Sequence, residues 1–421
     1  MAAKRTKKAI RGKGEGGLYQ RASDGMWCAA VELPPGDDGR RRRRVICRKD
    51  KAAARDALRE AQDQLAEQGD IVVSGGTTLE KWLLYWLEEI APKNIRPNTL
   101  NGYASSFTNH VIPAIGRHPL NKLSPQHVRE MHKRMAVTPA DPRVRRLPRD
   151  EWPEDPAMLS STTILLAHNA LSVALKTAKR EGRIRNNPCD NVDKPRKGLS
   201  EQHSLTVDES IQLLAYCATI PDGPLWAAFL LTGARRGELI GLEPDRVADT
   251  LDLSWQIQRV KDITKAPADY EYRHITGTLY LTRPKSSSGW RVLPLVEPLH
   301  SIIKLAVQTG QSGFVFNEWA QIDAKEGAEK VWVNTGRPWD PSRATKRWKA
   351  VLKAAGLPEN VVLHGARHTT VDLLDAAGVP HQVIQDIVGH SSVLTTRKYR
   401  TRVDMERLKA ALGDMGKMLG S

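Results

Sequence analysis

His364-Gly365-Ala366-Arg367-His368 lies between Leu363 and the apolar positions Val371, Leu373 and Leu374. A histidine and an arginine three residues apart point the same way from a helical turn, and the apolar flanks predict an element that is otherwise buried. In isolation the string fits a satisfied core histidine beside a surface arginine. It equally fits an oxyanion site, because a phosphate oxygen is the commonest object that asks for Arg and His together without a carboxylate. Upstream, Thr232-Gly233-Ala234-Arg235-Arg236-Gly237-Glu238-Leu239 sets an arginine inside an apolar stretch that predicts a helix over about 224–241. Glu238, three residues on, shares a helix face with Arg235 and can hold its guanidinium; alone, the pair also fits a structural ion pair.

Two further strings complete the pattern. Pro284-Lys285-Ser286-Ser287-Ser288-Gly289-Trp290-Arg291 reads as a hairpin tip between strands, where a lysine is ordinarily just solvated. Gly389-His390 closes a helix, and Tyr399 follows nine residues later among basic residues. Around these strings the periodicity predicts helices near 207–218, 296–308, 342–355, 366–377 and 381–388, and strands near 251–257, 278–283 and 290–295. Thr206-Val207-Asp208-Glu209 supplies a capping box for the first helix. Residues 259–275 are too polar and irregular for core and read as an insertion. Residues 200–421 are therefore expected to be a mixed, mainly helical domain with a small antiparallel sheet.

The preceding 77–188 read as all-α. Thr77-Thr78-Leu79-Glu80 reads as a capping box with Thr77 as N-cap, opening a helix that buries Leu79, Trp82, Leu83, Trp86, Leu87 and Ile90. Pro97 and Pro125 suit first helical turns, and a long helix is expected over about 160–180. Residues 143–156 are polar and proline-rich, hence a loop. Residues 1–70 predict a small three-stranded sheet backed by one helix that carries Ala54, Leu58, Ala61 and Leu65 on one face.

Composition bounds the function. The chain has 421 residues, 40% hydrophobic and 27% charged, which excludes disordered and fibrous classes. Its formal charge is +16, and residues 1–50 alone contribute +8, including the run Arg40, Arg41, Arg42, Arg43 and Arg44. Such a balance favours a polyanion, either nucleic acid or an acidic surface. No stretch is long and apolar enough for a membrane span, and residues 1–25 carry no apolar leader core. Cys28, Cys47, Cys189 and Cys217 are far apart and lack metal spacing, so a reducing, cytosolic setting without a disulfide framework or zinc is expected.

The order Arg…Lys…His-x-x-Arg…Gly-His…Tyr resembles that of the tyrosine recombinases, the phage-integrase family. The helical region resembles the family's core-binding domain, down to His110-Val111-Ile112-Pro113-Ala114-Ile115-Gly116 and Gly182-Arg183-Ile184-Arg185-Asn186-Asn187-Pro188. The N-terminal sheet resembles the arm-type DNA-binding domain of integrases that bind two kinds of site, with Arg40 to Arg44 as its DNA contacts. The resemblance implies three domains, 1–70, 77–188 and 200–421. It also implies a catalytic set of Arg235, Lys285, His364, Arg367, His390 and Tyr399, with Glu238 and His368 in support. Tyr399 would be the nucleophile, giving a 3′-phosphotyrosyl link, with no ATP, cofactor or metal.

The implied partners are double-stranded DNA at core-type and arm-type attachment sites and a homotetramer on synapsed DNA. A host DNA-bending protein or directionality factor would assist, in a bacterial cytoplasm and away from membranes. A type IB topoisomerase-like relaxing enzyme and a non-catalytic regulator on the same scaffold are the alternatives. Separate DNA-binding modules and retention of all six residues argue against them. Met405, Leu408, Leu412, Met415 and Leu419 form one apolar stripe after the tyrosine, suited to packing in cis or on a neighbouring protomer.

Overall fold

The computed structural model describes residues 17–33, 42–68, 77–198, 203–284, 290–311, 313–323, 330–389 and 405–420. Lys285, His390, Tyr399, Arg40 and Arg41 lie outside them. The chain forms two compact units, one of Met1–Ile90 with Gly102–Gly198 and one of Ala91–Asn101 with Leu199–Ser421.

The first unit opens on β1 (Gly17–Gln20), β2 (Trp27–Leu33) and β3 (Arg42–Arg48), an antiparallel sheet in that order, followed by α1 (Lys51–Gln68). Val31 and Ala61 are buried, with Leu33, Ile46 and Leu58 packed around them. Cys28 stands directly opposite Cys47 in the β2–β3 register, and the two form a disulfide. This corrects the expectation of unpaired cysteines: a cross-strand neighbour depends on register, which spacing along the chain does not reveal. Arg43 is exposed and Arg44 half-buried on β3.

The helical remainder comprises α2 (Leu79–Tyr85), the end of α3 (Pro97–Ser106), whose first five residues belong to the second unit, α4 (Ile112–Ile115), α5 (Pro125–Ala136) and α6 (Ser161–Arg180). The N-cap of α2 is Thr78, whose side chain accepts from the Lys81 N–H; it is not Thr77, because the Glu80 N–H donates to the Gly116 carbonyl. Trp82, Trp86, Phe107 and Leu171 are the centre of the core. Both indoles are satisfied on α6, Trp82 Nε1 donating to the Ala174 carbonyl and Trp86 Nε1 to Thr177 Oγ1, each at 3.2 Å. Residues 143–156 form two short 3₁₀ turns and stay mostly exposed.

In the second unit, α7 (Val207–Cys217), with the capping box on Thr206 and Glu209, leads into α8 (Gly223–Thr232), which is apolar on every side and buried from Leu225 to Thr232. The expected helix over 224–241 is two helices, α8 and α9 (Arg236–Ile240), because Gly233 adopts a left-handed conformation (φ +57°) and caps α8. Three small antiparallel sheets follow. One is β4 (Thr250–Asp252) with β8 (Val292–Pro294). Another is β5 (Gln256–Arg259), β6 (Tyr272–Thr276) and β7 (Leu279–Thr282), in order β5-β7-β6. The last is the hairpin β9 (Asn317–Asp323) with β10 (Lys330–Pro338). The stretch 259–275 thus contributes an edge strand and the buried Val260 and Tyr270, more than an insertion. Edge strands carry polar residues, which hides them from a hydropathy reading.

Helices α10 (Leu299–Thr309), α11 (Pro341–Ala354), α12 (Leu363–Ala376) and α13 (His381–Val388) pack around α8 in one core. The last helix, α14 (Met405–Met418), buries Leu408, Leu412, Met415 and the following Leu419 against this unit, the cis arrangement. Gly416 serves that contact, since a Cβ there would lie 2.9 Å from the Glu297 carbonyl oxygen. Among the described residues no helix is long and apolar enough to cross a membrane.

Candidate active site

The break between α8 and α9 builds the first half of the site. Arg235 occupies the N-cap of α9 in extended conformation, and Glu238 sits at N3. The Arg235 N–H donates to Glu238 Oε2 and Arg235 Nη1 to Oε1, both at 2.7 Å. The spacing of three therefore serves a cap, and the carboxylate fixes both ends of the arginine. Gly237 and Gly241 let α9 lie directly on β5: a Cβ at Gly237 would stand 2.5 Å from the Ile257 carbonyl oxygen. The outer guanidinium nitrogen of Arg235, Nη2, donates to the Gly389 carbonyl at 2.9 Å. Gly389 is the left-handed cap of α13 (φ +68°), so the glycine of the Gly-His string aims the first arginine.

Arg367 is held in the same manner. It lies on the first turns of α12 and donates from Nη1 to the carbonyl of Gly233 at 2.8 Å. Thr370 on the same helix donates to the Leu230 carbonyl at 2.7 Å, seating α12 on α8. Two left-handed glycines thus present carbonyls to two arginines 132 positions apart in the chain. Arg367 is buried, whereas His364, three residues earlier, is exposed. His364 lines an open cleft of about 560 Å³ together with Arg235, Arg236, Gln256, Arg259 and Thr345. His368 packs edge-on against His364 at 5.4 Å between ring centroids.

Electrostatics confirm that these side chains feel one another. Burial, then the charges of Arg291 and Arg235, pushes the Arg367 guanidinium down to about 9. Loss of solvation, then the charges of Arg367, His368 and Arg235, holds His364 below the ordinary histidine value. The shift favours the neutral imidazole, the form that accepts a proton. Burial pushes the Glu238 carboxyl up, but Arg291 and Arg235 outweigh it and hold it below the carboxylate range. An environment in which positive groups depress one another is one that an anion relieves.

Arg291 is the residue that sequence reasoning missed. It is buried beside Glu238, with Nη1 donating to Oε1 at 3.1 Å and Nη2 at 2.8 Å from Oε2. A signal existed: Leu293 faces the core, so the residue two before it shares that face. Arg283 lies between the Trp255 and Trp290 rings, at 4.5 and 4.7 Å from their centroids, and gathers the chain on either side of residues 285–289.

Known proteins resemble the chain in sequence and in fold. Residues 203–406 match the family model described as phage integrase family, and residues 78–136 match the phage integrase N-terminal SAM-like domain. An integrase of Saccharopolyspora erythraea is 26% identical over 430 aligned positions, covering 91% of this chain and 92% of that protein. Among solved structures, the Tn1549 transposon integrase in complex with transposon right end DNA superposes with a TM-score of 0.56 at 19% identity, covering 80% of this chain and 98% of that one. A lambda integrase tetramer bound to a Holliday junction gives 0.52 at 14% identity, over 96% and 97% of the two chains.

Proposed function

The chain belongs to the phage integrase family and is a tyrosine-type site-specific DNA recombinase, and from that premise we propose that its second unit cuts and rejoins DNA through a 3′-phosphotyrosyl intermediate on Tyr399. The observation that carries the reading is the convergence of Arg235 with the His364/Arg367 pair, remote from it in sequence, through the shared cleft and the glycine carbonyls, with a surplus of positive charge between them.

Phosphodiester cleavage accumulates negative charge on the non-bridging oxygens, so catalysis is mainly charge stabilisation and positioning. Arg235 and Arg367 clamp those oxygens, as planar, permanently charged forks suit, and His390 adds a donor. The Tyr399 phenol, with an ordinary pKa near ~10, must shed its proton to attack phosphorus. Neutral His364 accepts it, and Lys285 delivers a proton to the departing 5′-oxygen. One P–O bond forms as another breaks. The phosphotyrosyl ester therefore retains the bond energy, and a 5′-hydroxyl of a second strand reverses the step without ATP.

In the same proposal the chain works as a homotetramer on synapsed DNA in a bacterial cytoplasm, integrating and excising a phage or other mobile element. Residues 1–70, with Arg40 to Arg44, hold arm-type sites, while 77–188 and 200–421 close on core-type sites; a DNA-bending or directionality protein assists.

A suicide duplex that loses its 5′-hydroxyl strand after cleavage tests the chemistry. The parent is expected to accumulate a covalent adduct and Tyr399→Phe none. An adduct that survives the substitution rejects the nucleophile.

A further inference from the structure

Glu238 is wholly buried and serves two arginines at once. Arg235 reaches it from the N-cap of α9, and Arg291 from the residue before β8, with a side chain only 6% exposed. Arg367, on α12 and bonded to the Gly233 carbonyl, is near enough for its charge to interact with those of Arg291, Arg235 and Glu238. A carboxylate in such a place takes up a proton unless cations hold it ionised. Burial is the largest influence on Glu238, and Arg291 is the strongest of the groups that oppose it, ahead of Arg235. A protonated Glu238 accepts fewer hydrogen bonds, and the guanidinium of Arg235 then loses its fixed orientation toward the cleft.

We propose that Arg291 is a positioning residue for strand cleavage: by sharing Glu238 it keeps that carboxylate ionised and turned toward Arg235, and so sets the guanidinium that meets the scissile phosphate. The inference rests on the reading of Arg235 as a phosphate-binding residue. Arg291 itself touches no reacting atom. Its effect passes through Glu238, which makes it separable from a general packing role.

Single-turnover cleavage of the suicide duplex by the full chain, followed across pH, is the test, with DNA affinity recorded independently. Arg291→Met is expected to slow adduct formation about 10- to 100-fold, the scale of a misplaced catalytic group, with little change in affinity. The acidic limb of the pH–rate profile moves to higher pH, because Glu238 loses its strongest counter-charge while its burial persists. Arg291→Lys falls between parent and Arg291→Met in both rate and limb. In a Glu238→Gln background, Arg291→Met costs far less, since no buried charge remains to be compensated.

An unmoved acidic limb, or equal costs of Arg291→Met in the two backgrounds, overturns the proposal. Should Arg291→Met not accumulate as folded protein, recovery of folding in the double variant supports the proposal and failure of both overturns it. Arg235→Ala run alongside separates the two levels. Normal cleavage by that variant removes the phosphate reading itself. An inactive Arg235→Ala beside normal Arg291 variants removes this inference alone.

Discussion

The catalytic unit and the helical unit both bury polar groups, but on different terms. Around Glu238, the guanidiniums of Arg235 and Arg291 share one carboxylate, and the charge of Arg367 lies close enough to be felt by all three. Elsewhere in the same unit the charges balance: Asp222 is paired bidentately by Arg347 at 2.7 and 2.9 Å and also accepts from Trp226 Nε1 at 3.0 Å. The helical unit buries the neutral His168, whose Nδ1 lies 3.1 Å from His132 Nε2. A balanced pair is architecture and a neutral pair is packing. A surplus of one sign is an unfinished site, completed only when an anion arrives.

The comparison breaks first at Arg367. A surplus charge does its work on the substrate, so Arg367→Ala should slow adduct formation by about 10³-fold, the scale of a lost oxyanion donor. Its melting temperature should move by only about a few degrees, because the lost bond to the Gly233 carbonyl is offset by relief among three cations. Calorimetry beside single-turnover cleavage checks this, and a collapse in stability equal to that of a core truncation would make Arg367 structural.

Asp222→Ala is the opposite case. It leaves the half-buried Arg347 without its counter-charge and the buried Trp226 Nε1 without its acceptor, a loss of about 1–3 kcal/mol. Denaturant unfolding measures the loss, while the cleavage rate per folded molecule should stay at the parental value. A chemical defect in the folded fraction would erase the distinction between balanced and surplus charge.

How much of this was legible depended on which distance carried the information. Some spacings along the chain were reliable: the Thr206–Glu209 box, the placement of His364 and Arg367 on one helix and the 381–388 helix are as the sequence implies, whereas the Thr77–Glu80 box is not. The Arg235–Glu238 relation was found for a partly different reason, since an i to i+3 spacing describes both a helix face and a capping box. Averaging the apolar run over 224–241 concealed the left-handed Gly233 that separates the two helices. Features set by register or by carbonyl direction were not legible. The Cys28–Cys47 disulfide, the β6 edge strand, the β9–β10 hairpin, the buried Arg291 and the Gly389 carbonyl under Arg235 all depend on neighbours distant in sequence or on backbone direction.

The smallest effect sharpens the neutral case. Burial, with His132 and Lys194 adding to it, pushes His168 down to about 4. An unfolded histidine titrates near ~6.5, so above that pH both states are neutral and the packing contributes in full. As pH falls from about 6.5 toward about 4 the unfolded chain takes up the proton that the folded one refuses, and stability declines by roughly 3 kcal/mol in all. His168→Leu removes the titration: its stability over that window should be flatter than the parent's, whatever its absolute value at neutral pH. Chemical denaturation at several pH values decides the matter. Parallel curves for parent and variant would place the acid sensitivity elsewhere and deny that His168 is buried in its neutral form, whereas a flattened curve leaves the surplus of charge beside Glu238 as the feature that separates a site from a core.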